Sequence, residues 1–168
     1  LPAAPTITAG GTTTFCDGES VVLTSSEATG NVWSNGGTTQ AITVSTAGSY
    51  TVEYTDGNGC KATSAATAVT VNPIPTLDAG PDQTICAGES VTLSGSGATN
   101  YAWDNSVTNG TSFIPSATTT YTVTGTDANN CTATDDVLVT VNPQDDATFA
   151  YSASSYCSDD SDPTPTIS

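Results

Sequence analysis

Five cysteines, Cys16, Cys60, Cys86, Cys131 and Cys157, are the residues of this chain with covalent chemistry open to them. No two form a Cys-x-x-Cys pair and the chain has no histidine, so a zinc site lacks its usual ligands. Disulfide formation is the better reading, and it implies an oxidising, extracellular setting. A second chemistry is oxygen ligation. Asp56 with Asn58, and Asp127 with Asn129, stand in matching turns, and Asp78, Asp82 and Glu89 lie near an expected module junction. Such oxygens could hold Ca²⁺. Asp and Asn are also ordinary turn formers, and no calcium-loop spacing is present.

Catalysis has little to work with. Lys61 is the single basic residue against seventeen Asp plus Glu, and there is no His. General acid–base catalysis most often uses His, phosphate chemistry needs Lys or Arg, and Ser or Cys nucleophiles need an adjacent base. The expectation is a chain that is no enzyme and carries no cofactor, with calcium the one ion to consider. A net charge of −16 repels phosphate backbones and anionic headgroups, which excludes nucleic acid as a partner and disfavours membrane surfaces. Its simplest consequence is solubility. No apolar run approaches the ~20 residues that span a bilayer, so membrane insertion is not expected. Leu1-Pro2-Ala3-Ala4 lacks a basic and apolar leader, which suggests a mature or excised piece of a longer protein.

The elements that position these residues are written twice. Pro5-Thr6 through Val71-Asn72-Pro73 recurs as Pro75-Thr76 through Val141-Asn142-Pro143, a shift of seventy residues. Cys16-Asp17-Gly18-Glu19-Ser20-Val21 answers Cys86-Ala87-Gly88-Glu89-Ser90-Val91, and Trp33 answers Trp103. Tyr50-Thr51-Val52 answers Tyr121-Thr122-Val123, and Cys60 answers Cys131, the shift having grown by one residue before a compensating deletion ahead of Val69. Apolar residues alternate with Ser and Thr at Val21 and Leu23, Ile42 and Val44, Tyr50, Val52 and Tyr54, and Val69 and Val71. Period two is the pattern of half-buried strands. Turn signals at Asn35-Gly36-Gly37, Asp56-Gly57-Asn58-Gly59 and Asp104-Asn105 separate them, and no helical stripe appears.

Six or seven short strands per unit predict an all-β fold of tandem Ig-like, PKD-like sandwiches placed end to end. The expected organisation is one repeat over residues 1–73, a second over 74–143, and an incomplete third unit of different type over 144–168. Trp33 and Trp103 fall where strand C places a core tryptophan. Were they solvent-facing instead, they could stack on sugar rings, and the chain would be a carbohydrate-binding module. The linkers Asn72-Pro73-Ile74-Pro75 and Asn142-Pro143 are short and proline-fixed, which predicts stiff joints.

Asp78-Ala79-Gly80-Pro81-Asp82-Gln83-Thr84-Ile85-Cys86-Ala87-Gly88-Glu89-Ser90-Val91, with Tyr121-Thr122-Val123 and Val139-Thr140-Val141-Asn142-Pro143, resembles the PKD-like and Ig-like repeats of Bacteroidetes surface proteins. Ser155-Tyr156-Cys157-Ser158-Asp159-Asp160-Ser161-Asp162-Pro163-Thr164-Pro165-Thr166-Ile167 resembles the repeat of SprB-type gliding-motility adhesins. The resemblance implies a large adhesin filament on the cell surface or outer membrane of a Gram-negative bacterium. It further implies export by type IX secretion, movement by the gliding machinery, and attachment to an extracellular surface or polysaccharide. The PKD signature survives only as Trp103-Asp104-Asn105. Repeats of this kind also serve as spacers in secreted polysaccharide-degrading proteins, which is the alternative function.

Two disulfide pairings remain open. The default is within repeats, Cys16 with Cys60 and Cys86 with Cys131. In an Ig-like sandwich, however, Cys16 falls at the A–B turn of one pole and Cys60 follows the F–G turn at the other. Strands of about six residues hold those poles ~20 Å apart, beyond the ~7 Å that a disulfide tolerates between Cα atoms. With repeats stacked pole to pole, Cys16 would face Cys131 across the junction. Cys60 and Cys86 would then pair with neighbouring repeats, and Cys157 with a partner outside this chain.

Overall fold

The computed structural model describes residues 1–144 together with the backbone of two short paired strands, Phe149–Ala150 and Thr166–Ile167. Most of the third expected unit, including Cys157, thus lies outside the described residues. Among the described residues every regular element is a strand.

The first repeat holds β1 (Ile7–Ala9), β2 (Thr14–Cys16), β3 (Val21–Ser25), β4 (Asn31–Trp33), β5 (Ala41–Val44), β6 (Gly48–Tyr50), β7 (Val52–Thr55), β8 (Lys61–Thr63) and β9 (Thr67–Asn72). One sheet has the order β1-β3-β5, all antiparallel. The other is built from β2-β9-β6 and β4-β7-β8, where β6 and β7 are two halves of strand F and β8 and β9 two halves of strand G. The chain crosses from the first sheet to the second between β1 and β2, at Gly10-Gly11, so that strand A continues as A′. There β2 lies parallel to β9, with Cys16 opposite Asn72. The order A-B-E against A′-G-F-C is that of an Ig-like sandwich.

The second repeat has the same plan in fewer pieces: β10 (Gln83–Cys86), β11 (Val91–Thr92), β12 (Asn100–Trp103), β13 (Ser112–Phe113), β14 (Thr119–Thr126) and β15 (Thr132–Asn142). Its larger sheet runs β10-β15-β14-β12, again with A′ parallel to G. An Asp78–Ser96 bridge supplies the A–B contact. The two repeats differ where their sequence spacing differs. Eight residues separate Cys60 from Val69, but seven separate Cys131 from Val139. In the second repeat strands F and G pair without interruption from Thr119 to Thr126. In the first, pairing stops at Tyr50↔Thr67 and resumes at Glu53↔Thr63, leaving three residues opposite two. The surplus residue is a bulge. Ser64 satisfies the local backbone: its hydroxyl accepts the Val52 N–H at 3.0 Å, and its own N–H reaches the Val52 carbonyl at 3.0 Å.

Period-two alternation buries one face of each strand. Phe15, Val21, Leu23, Trp33, Val44, Tyr50, Val52 and Val69 form one core cluster. Ala79, Val91, Leu93, Trp103, Tyr121, Val123, Val137 and Val139 form a second. Neither cluster contains a cysteine, so neither core is built around a disulfide. Trp33 is 1% exposed and Trp103 8%, and each indole N–H is satisfied within its repeat, by the Thr39 carbonyl and by Asn109 Oδ1, both at 2.9 Å. The sugar-stacking role needed outward-facing tryptophans; both rings are packed in cores instead. Tyr50, at the start of strand F, donates its hydroxyl to the Thr46 carbonyl at 2.9 Å, the tyrosine corner of such sandwiches.

Because each indole belongs to its own cluster, Trp33→Ala should cost the first core about 3–5 kcal/mol, enough to unfold a unit of this size. Trp103 fluorescence should meanwhile keep the blue emission of a buried indole. A red-shifted Trp103 in that variant would mean that the two cores unfold as one.

Candidate functional site: the disulfide joint

Two turn types, each present once per repeat, carry the cysteines. The first follows A′. In Cys16-Asp17-Gly18-Glu19 the Glu19 N–H donates to the Cys16 carbonyl at 3.1 Å, and Gly18 takes a φ of +91°. This is a type II turn, which needs glycine at its third position. Glu19 then reaches back, its carboxylate accepting the Cys16 N–H at 3.0 Å. Cys86-Ala87-Gly88-Glu89 repeats every feature: Gly88 at +89°, a 3.1 Å turn bond, and Glu89 accepting from the Cys86 N–H at 2.8 Å. The turn is also tied to the end of strand G, since Asp17 N–H donates to the Asn72 carbonyl and Ala87 N–H to the Asn142 carbonyl, both at 2.8 Å. Cys16 and Cys86 therefore sit beside the point where the chain leaves each sandwich.

The second turn joins F to G. In Asp56-Gly57-Asn58-Gly59-Cys60 the Gly59 N–H donates to the Asp56 carbonyl at 3.0 Å, with Gly59 in the left-handed region. Asp127-Ala128-Asn129-Asn130-Cys131 matches it, Asn130 taking that conformation at φ +63°. Asn is the non-glycine residue that tolerates it best. One carboxylate oxygen of Asp56 accepts two backbone N–H groups, from Asn58 and Cys60, both at 2.9 Å. Asp127 does the same for Asn129 and Cys131, both at 2.8 Å. These turns stand at the entry pole: Thr55 N–H bonds the Gly30 carbonyl of the B–C loop, and Ser26 N–H bonds Thr6 at the start of the chain's descent.

Cys16 and Cys131 are joined by a disulfide, with an S–S distance of 2.00 Å and Cα atoms 5.6 Å apart. The cross-link leads from the exit pole of the first repeat to the entry pole of the second, spanning 115 residues of sequence. The within-repeat pairing of Cys16 with Cys60 and Cys86 with Cys131 is replaced by this bond. Cys131 is fully buried in it. Cys60 and Cys86 are free and exposed.

Many of the acidic side chains serve the backbone. Besides the four turn carboxylates, Asp78 accepts from the Gly80 N–H, Asp82 from the Leu138 N–H and Asp135 from the Ala79 N–H, each at 2.8 Å. Asp78, Asp82 and Glu89 do not gather at one junction: Glu89 stands at the exit pole with Cys86, whereas Asp78 bridges to Ser96 near the entry. Among the described residues no three Asp, Glu, Cys or His side chains converge as a metal set. Of the calcium candidates Asp56, Asn58, Asp127 and Asn129, the two aspartates shape the F–G turns through their carboxylates, and the two asparagines donate their backbone N–H groups to them. Lys61 pairs with Glu53 at 2.6 Å on the exposed side of the sheet, a contact worth little in water.

Sequence reading alone did not single out Glu19 and Glu89 as locks on the cysteine turns, although the doubled Cys-x-Gly-Glu was the available signal. Nor did it give a packing role to Asn109, whose Oδ1 accepts from both Trp103 and the Gly95 N–H. The first repeat meets the same need with the Thr39 backbone, so repetition gave no pointer.

No family model matches the chain, and no curated protein does. Among solved structures, the insect immune protein hemolin is 16% identical with a TM-score of 0.46, over 82% of this chain and 47% of that one. Extracellular domains 3–5 of Drosophila OTK are 18% identical with a TM-score of 0.38, covering 83% of this chain and 60% of that one. Fibronectin(III)-like modules of Clostridium thermocellum CbhA are 11% identical with a TM-score of 0.36, covering 82% of this chain and 94% of that one. The chain spans about half the length of the hemolin chain. Similarities this low bear on no activity, ligand or partner.

With every turn carboxylate already engaged by backbone N–H groups, thermal unfolding should be the same with and without a calcium chelator. A midpoint lowered by the chelator would instead assign an ion to the F–G turns.

Proposed function

We propose that this chain is a passive, load-bearing segment of a secreted cell-surface adhesin filament, working by transmitting tension rather than by binding or catalysis. The observation that carries the proposal is which strand ends the disulfide joins. Cys16 closes A′ of the first repeat, and Cys131 opens G of the second. A pull entering at residue 1 can follow A and A′ to Cys16, cross the sulfur bridge, and leave along β15 to Pro143. Both strand stretches are already extended, so this covalent route has little slack to release.

A second route runs in parallel. The main chain carries load along G of the first repeat, through Asn72-Pro73-Ile74-Pro75, and into A of the second. The two routes exchange strands at the junction: G feeds A through the linker, and A′ feeds G through the disulfide. Parallel pairing of A′ with G makes this exchange work, because both strands run from entry pole to exit pole. Stacked end to end, such units form a two-line tether.

The resemblance of Ser155 to Ile167 to SprB-type adhesin repeats, and of the doubled unit to Bacteroidetes surface repeats, favours a gliding or attachment filament exported by type IX secretion. In that setting the neighbouring repeats are the immediate partners, with an extracellular surface or polysaccharide gripped elsewhere or weakly by many units. Disulfide use suits the oxidising exterior of the cell. The strong negative charge keeps an exposed filament soluble.

Single-molecule stretching from the two ends tests the load path. With the disulfide intact, no length should be released from between Cys16 and Cys131. After reduction the intervening 115 residue steps become extensible, adding on the order of 400 Å at ~3.5 Å per residue. A gain of that size in the oxidised chain would overturn the proposal.

A further inference from the structure

The mated joint in this chain is made of two complementary halves, and each half also occurs once unmated. Cys86 lies in the same turn as Cys16, with the same glycine conformation, the same glutamate lock and the same bond to the end of strand G. Cys60 lies in the same turn as Cys131, with the same doubly accepting aspartate. The difference is at the sulfur. Cys131 is fully buried by its joint, whereas Cys60 and Cys86 are exposed thiols.

We infer that Cys60 and Cys86 are docking points for further modules of this same kind, Cys60 taking the A′-end turn of a preceding module and Cys86 the F–G turn of a following one. This deepens the load-bearing reading and rests on it for its purpose. Strand direction sets the polarity. Cys86 ends an A′ strand, so the load line needs a cysteine that opens a G strand; Cys60 opens a G strand, so it needs one that ends an A′ strand. The partner must therefore present the opposite turn, and a Cys86–Cys86 or Cys60–Cys60 bond would join two lines running in opposed senses. Each disulfide loop would then overlap the next, since Cys86 lies inside the loop closed by Cys16 and Cys131.

The bond-forming step requires an oxidant, taken here as a low-molecular-weight or protein disulfide. The Cys86 thiolate attacks one of its sulfurs and expels a thiolate, giving a mixed disulfide. The partner module's thiolate then attacks the Cys86 sulfur and expels the second thiolate. Two S–H bonds are lost, one S–S bond forms, and two electrons and two protons leave with the oxidant as two thiols.

The test inserts a second copy of residues 74–143 after Pro143 in the full chain and folds it in glutathione disulfide. Non-reduced peptide mapping should find Cys86 bonded to the inserted counterpart of Cys131, with Cys86 passing from alkylated to protected while Cys16–Cys131 still forms. Cys86 remaining alkylatable beside an intact Cys16–Cys131 bond would overturn the inference. That result would leave the stretching behaviour of the Cys16–Cys131 loop untouched, so the two failures are distinguishable. Should the lengthened chain not fold, the original chain decides. Cys60→Ser and Cys86→Ser variants, both also Cys157→Ser, are mixed under the same oxidant. A crossed Cys60–Cys86 dimer well above random proportion supports complementary halves, and homodimers at random proportion overturn them.

Discussion

Parallel pairing between A′ and G is the contact from which the rest of this architecture follows. A chain that begins in one sheet and crosses to the other at Gly10-Gly11 must lay its second half along the edge of strand G. Both strands then run toward the same pole, and Cys16 comes to rest opposite Asn72, where the chain departs. A cysteine placed there is held beside the linker, and it meets whatever the next sandwich presents at its entry. In this fold that is the F–G turn, with Cys131. Had strand A remained wholly in the first sheet, Cys16 would lie away from G and the two covalent lines could not exchange strands.

The carboxylates bear on the same geometry. A disulfide between turns on separate sandwiches forms only if both turns hold their shape. Glu19 and Asp127 act as local locks, each oxygen taking N–H groups that a tight turn leaves without strand partners. Charge-assisted bonds of this kind are about twice as strong as neutral ones. The chain's acidity is thus partly structural, which a count of charges does not reveal. In the F–G turns, the Asp56 and Asp127 oxygens that composition offers to calcium accept N–H groups of their own turn.

Much of the fold was legible because the sequence states it twice. Alternation marked the buried positions, and the equivalence of Trp33 and Trp103 pointed to packing, as their burial shows. Other features needed the partner strand. The surplus residue ahead of Val69 was visible as an offset between repeats, but only pairing with strand F reveals that it opens a bulge and that Ser64 fills the gap. The locks on the cysteine turns were hidden for a related reason, since a glutamate three residues after a cysteine acquires its role only when glycine bends the chain back. Counting cysteines left two pairings standing. Placing each cysteine at a pole separated them, because distance between poles is a property of topology and not of composition.

The covalent link runs between repeats and not within them. Non-reducing proteolytic mapping of the full chain, with free thiols blocked before digestion, reads this connectivity. One peptide pair should join the segment around Cys16 to that around Cys131, with Cys60 and Cys86 recovered as blocked thiols. Recovery of Cys16 joined to Cys60 would contradict it.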